Sequence, residues 1–150
     1  TKPGEIFIHR NVANVVVHTD FNLLSVLQYA VDVLEISHVI VCGHYGCGGV
    51  QAALSNNSFG MIDIWLRHIK DAYCLHKHDV DTGPESERAN RMVEANVRQQ
   101  LRNLAKTTII QKSWKANKRP HLHGWVFDMK DGIVKPLVEL APHQSIDDPI

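Results

Sequence analysis

The stretch HVIVCGHYGCGGV at 38–50 constrains this chain more than any other. Val39 to Val41 is a β-branched run and reads as a short buried strand. Gly43 ends it, His44 and Cys47 follow three positions apart, and Val50-Gln51-Ala52-Ala53-Leu54 reads as the first turns of a helix. A thiol and an imidazole thus sit on a strand-to-helix turn, the usual seat of chemistry in an α/β fold. A thiolate at a helix start is stabilised by free N–H groups and the helix dipole. Together with imidazole it suits Zn²⁺, and Gly48 and Gly49 allow the backbone to close around an ion. On spacing alone two readings stand: a metal site, or an ordinary turn. Zinc usually takes about three or four protein ligands, and this stretch offers two.

The chain has 150 residues, no net formal charge and 44% hydrophobic residues, enough for one globular core. A balanced charge argues against nucleic acid as a partner. No apolar run is long enough to span a bilayer, and no signal peptide is visible. Three cysteines make no disulfide framework, so a reducing compartment is expected. That compartment is read as the cytoplasm, with the mitochondrion as the alternative. Ten histidines keep metal binding in view. The first residue is Thr1, and the opening looks like the interior of a longer domain.

Residues 5–9, EIFIH, alternate as a strand does. Thr19 or Asp20 can cap a helix over 21–35, apolar around most of its circumference and therefore covered on more than one side. Strand, helix and strand from 5 to 42 predict a right-handed βαβ unit. No GxGxxG follows the first strand, and GHYGCGG lacks the Lys-Ser/Thr pair of a phosphate-binding loop. Residues 60–72 read as a helix and 74–84 as a polar, solvated connection in which Cys74, His76 and His78 complete no metal site. A long helix runs from Pro84 to about Lys106, capped by Asp81 or Thr82, with Asn96 beside its apolar stripe and expected to bond a neighbouring backbone group. Thr107 or Thr108 restarts a helix, 121–127 is a strand, Asp131-Gly132 signals a hairpin, and Ile133 to Leu140 returns. The tail from Pro142 reads as peripheral. The expectation is a single α/β domain over 1–150: a mostly parallel sheet flanked by helices, with an antiparallel C-terminal hairpin.

GEIFIHRNVANVV at 4–16, SVLQYAVDVLEISHVIVCGHYGCGGVQAAL at 25–54, TTIIQKSWK and HLHGWVFDMKDG together resemble a β-class carbonic anhydrase over nearly the whole chain. The resemblance implies reversible hydration of carbon dioxide to bicarbonate by a zinc-bound hydroxide. It implies Zn²⁺ held by two cysteines and a histidine, with His44 and Cys47 as two of the three. Gly48 and Gly49 would supply backbone to the substrate pocket. The remaining cysteine belongs to a CxDxR motif, which also carries an Asp/Arg pair; these 150 residues contain no such motif. No catalytic side chain is therefore assigned, and this chain alone is expected to be weakly active or inactive. Cys42, on the strand ahead of the turn, is read as a buried packing residue. Some relatives hold a second, regulatory bicarbonate through Trp, Arg and Tyr. Arg10 matches the Arg, Phe127 stands at the Tyr, and an ion pair or subunit contact is the other reading of Arg10. The implied assembly is a homodimer or tetramer, with neither nucleic acid nor membrane as partner. Two alternatives remain: a non-catalytic, carbonic anhydrase-like subunit, or a carbon disulfide or carbonyl sulfide hydrolase.

Overall fold

The structure, a computed structural model, describes residues 2–142. A 3-10 turn at Val12–Asn14 precedes α1 (Phe21–Gln28), which continues into a π-helical turn at Tyr29–Val33. Then follow β1 (His38–His44), α2 (Gly48–Leu54), α3 (Ile62–Leu75) and α4 (Lys77–Asp81). A 3-10 turn at Glu85–Glu87 leads into α5 (Arg88–Ala105), and α6 (Thr108–Asn117), β2 (His121–Asp128) and β3 (Ile133–Leu140) complete the order. The starts of α1 and α6 were legible because their caps are chemical. The Asp20 carboxylate accepts from the Asn22 and Leu23 amides, and the Thr107 hydroxyl accepts from Ile110.

The sheet has the order β1-β2-β3, with β1 parallel to β2 and β2 antiparallel to β3. Helix α5 lies across one face of it. Met92, Val97 and Leu101 on that helix are fully buried, as are Leu122 and Val126 on β2. Gly43 and Gly124 allow the helix to come this close. A Cβ at Gly43 would meet Val97 at 2.7 Å, and one at Gly124 would meet Val138 at 2.6 Å and Val97 at 3.1 Å. Separations this short require backbone or neighbours to move.

A polar ladder on α5 ties the N-terminal segment to this core. Asn96 donates to the Ala13 carbonyl (2.9 Å) and accepts from the Gln100 side chain (2.9 Å). Gln100 accepts from the Val16 amide (2.9 Å) and from Asn103 (3.0 Å). Asn96 and Gln100 are both buried, and their amides take the place that water would have at a bare backbone. Asn96 does bond a backbone group, as its place beside the stripe implied.

Four expectations are corrected. The alternating segment 5–9 forms no strand, because none of the three strands pairs with it and a strand needs a partner backbone. The βαβ unit over 5–42 is therefore absent among the described residues, while the expected α/β sheet flanked by helices, with its antiparallel C-terminal hairpin, is present. The connection at 74–84 is partly helical: α3 extends to Leu75 and α4 follows, anchored by the fully buried Val80. A single apolar residue among charged ones gives no periodic signal. Neither Asp81 nor Thr82 caps α5; Asp81 instead accepts from Tyr73 and Arg88. Cys42 is exposed, not buried. Strand alternation puts it with His38 and Ile40 on the face away from α5, which no described element covers. The tail 143–150 lies outside the described residues.

Candidate metal centre

The turn after β1 places His44 at the strand end and Cys47 at the N-cap of α2. Cys47 has the extended backbone of a cap residue (φ −63°, ψ 116°), yet its side chain makes no cap hydrogen bond. A cap hydroxyl or carboxylate would bond the second or third helical amide. Here the sulfur is buried and uncommitted.

His44 is half-buried, and its Nδ1 lies 2.9 Å from the Tyr45 carbonyl. A carbonyl only accepts, so Nδ1 carries the proton and Nε2 keeps the lone pair. This is the tautomer of a metal-ligating histidine, with its other nitrogen held by a backbone oxygen. Tyr45 is itself held: its amide donates to Phe127 O (3.1 Å) and its hydroxyl to Glu94, which also accepts from Lys135 (2.9 Å). The chain from Glu94 through Tyr45 to the His44 ring was not legible in the sequence, since its parts lie on α5, the turn and β3.

Burial pushes the Glu94 carboxyl up, but hydrogen bonds from Tyr45 and Lys135 outweigh it and hold the carboxyl below its ordinary value of 4.5. Its folded pKa thus lies below the unfolded one. The stabilisation is complete above about pH 4.5 and is lost as pH falls through the lower folded value. Glu94→Gln is therefore expected to flatten the loss of stability with falling pH. Urea midpoints of both proteins between about pH 3 and pH 6 check this, and parallel curves would refute it.

The turn is walled by the N-terminal segment. Ala13 and Asn14 adopt left-handed backbone (φ 60° and 46°), costly for residues with a Cβ and held by the Asn96 bond to Ala13. Asn11 clasps the same loop through both its amide groups, 2.8 and 2.9 Å from Val15 backbone. Trp65 donates to Val12 O at 2.8 Å. In this position Val12 and Ala13 press on Gly49, where a Cβ would meet them at 3.0 and 3.4 Å. Gly48 is open: a Cβ there would meet nothing within 4 Å. The Asn14 amide nitrogen is buried beside this turn and makes no hydrogen bond among the described residues.

His44 and Cys47 are the two ligand-type side chains the turn presents. No group of three His, Cys, Asp or Glu able to hold a metal occurs among the described residues. The Cys74, His76 and His78 run builds no such group: His76 instead faces Gln99 at 3.1 Å. Although Cys42 is exposed as a residue, partial desolvation of its thiol raises its pKa against the lowering effect of a Phe127 backbone hydrogen bond, and the thiol lies 3.5 Å from the Gly43 carbonyl. Arg10 is exposed and makes no ion pair among the described residues. No helix among them is long and apolar enough to cross a membrane.

A family model described as "Carbonic anhydrase" matches residues 1–134. A carbonic anhydrase of Emericella nidulans is 49% identical over 135 residues, covering 89% of this chain and 59% of that protein. The Coccomyxa β-carbonic anhydrase solved with acetazolamide superposes with a TM-score of 0.87 at 33% identity, over 93% of this chain and 64% of that one. A β-carbonic anhydrase from Sordaria macrospora, described as tetrameric, gives 0.86 at 35% identity, over 93% and 72%. The chain belongs to the carbonic anhydrase family, and its fold is that of the β class. It spans 59% of the length of the Emericella relative.

Proposed function

We propose that this chain carries the His44–Cys47 half of a zinc site that reversibly hydrates carbon dioxide to bicarbonate. The observation that supports this most directly is the His44 Nδ1 contact to Tyr45 O, which presents Nε2 as a ligand beside an uncommitted, buried Cys47 sulfur. Zinc, when bound, would supply the Lewis acidity that makes a nucleophile of water near neutral pH. The chain's own residues do the rest. Tyr45, anchored by Glu94 and Lys135, keeps the His44 ring oriented. Val12 and Ala13 close the turn at Gly49, and Gly48 leaves open backbone on the substrate side. The apolar wall favours a small uncharged substrate and excludes competing water.

Two protein ligands hold zinc weakly, so the chain by itself is proposed to be poorly active until further ligands complete the site. The assembly proposed is a homodimer or tetramer, consistent with the exposed apolar residues Phe21, Tyr29 and Val33 on the helical stretch Phe21–Val33 and Leu34 at its C-cap. Arg10 is the candidate for subunit contact or a second bicarbonate, and the cytoplasm is the proposed compartment.

The test is zinc content per chain, measured with the stopped-flow rate of carbon dioxide hydration while Zn²⁺ is added. The expected result is substoichiometric zinc as purified, with a hydration rate that follows bound zinc. One zinc per chain and no hydration above buffer would overturn the proposal and favour a non-catalytic subunit.

A further inference from the structure

The other end of β1 holds a second cluster that the proposed reaction does not use. His38 is the register partner of His121, and His123 lies two residues further along β2. Leu122 between them is fully buried beneath the sheet, so both β2 imidazoles lie on the face away from α5, where the His123 side chain is 13% exposed. The His38 ring centroid is 5.8 Å from that of His121 and 5.2 Å from that of His123. His38 Nδ1 stands 3.0 Å from His123 Nε2, and His123 Nδ1 stands 3.2 Å from Glu139 Oε1. Six residues of strand separate His38 from His44, about 20 Å at the rise of a parallel strand.

The geometry points to a binding site for a divalent cation that favours imidazole, of the Ni²⁺ class, shared by His38 Nδ1 and His123 Nε2. The Glu139 carboxylate accepts the Nδ1 proton of His123 and so leaves the Nε2 lone pair facing His38. A ligating imidazole is commonly oriented by a carboxylate in this way. In the metal-free pair His38 Nδ1 donates to that lone pair. On binding, the His38 proton moves to Nε2 through solvent, and both facing nitrogens become donors to the ion. The 3.0 Å separation is that of their hydrogen bond, and turning both rings outward from that line brings the two lone pairs onto one ion, which imidazole nitrogens suit. His121 lies next to His38 as a further imidazole, and water fills the remaining positions. No preformed three-ligand group exists here, so the expected affinity is moderate.

Ni²⁺ is titrated into the intact protein, with its zinc content left as purified, by calorimetry at neutral pH and by fluorescence. Trp125, whose ring lies 5.8 Å from that of His123, is the fluorescent reporter. A saturable phase that quenches Trp125 is expected, apart from any Ni²⁺ taken up at an unfilled His44–Cys47 pair, and the quenching disappears in Trp125→Phe. His38→Gln and His123→Gln should each weaken binding at least about tenfold, and Glu139→Gln by about ten- to a hundredfold. Cys47→Ser and His44→Ala should leave the Trp125 quenching phase unchanged. Dependence on His44 or Cys47 instead, indifference to His38 and His123, or no saturable binding would each overturn the site. Circular dichroism confirms that each variant is folded; His38 is exposed and the Glu139 side chain is 69% exposed, so neither change removes core packing.

Discussion

In Cys47→Ser, zinc affinity is expected to fall by more than the roughly 10- to 100-fold that supporting residues command, while the metal-free fold melts no lower than the parent. The two halves of this expectation have different causes. A neutral hydroxyl is a much poorer zinc ligand than a thiolate, so the proposed site would lose one of its two protein donors. The same hydroxyl stands at an N-cap whose present side chain makes no cap bond. Serine there can accept from a helical amide, a gain of up to about 1 kcal/mol. A cysteine that merely packs would show the opposite pattern: unchanged zinc and a lowered melt. Zinc analysis after dialysis and thermal melts of the chelated protein separate the two. Retention of zinc by Cys47→Ser would remove Cys47 from the ligand set.

Gln100→Leu is the substitution expected to cost most stability. Leucine keeps much of the volume but leaves the Val16 amide, the Asn103 amide and the Asn96 carbonyl oxygen each without the partner that Gln100 supplies. Each buried group so stranded costs about 1–3 kcal/mol, and the losses overlap because the partners share one network. A net loss of about 3–5 kcal/mol is expected, a large part of the 5–15 kcal/mol of an ordinary domain. The urea midpoint should fall by about 1–3 M at an ordinary slope. A fall below about 0.5 M would show that the ladder is not what holds residues 13–16 in place. Because those residues wall the turn at Gly49, zinc affinity is expected to weaken with it.

The hairpin at Asp131-Gly132, the caps at Asp20 and Thr107, and the long helix α5 were legible in the sequence. Each is written locally, in a turn pair, a single oxygen-bearing side chain or an apolar period. The turn that carries His44 and Cys47 was legible for the same reason: a strand run, glycines and two ligand types stand within ten residues. The alternation at 5–9 misled because alternation describes a surface, whereas a strand also requires a partner at the right place. Cys42 misled similarly. Its place on β1 follows from the sequence, but its exposure depends on which sheet face α5 covers.

The sequence by itself determined the strand-to-helix turn at 38–54, the starts of α1 and α6 and the family, because these depend on residues close together in the chain. Only the tertiary structure decided that the Tyr45 carbonyl fixes the His44 tautomer while Glu94 and Lys135 fix Tyr45. It alone decided that Asn96 and Gln100 hold a left-handed loop more than 80 residues away. It also brought His38 against His123 on neighbouring strands. Those contacts join residues far apart in sequence, and their geometry is set by packing α5 against the sheet rather than by any local preference.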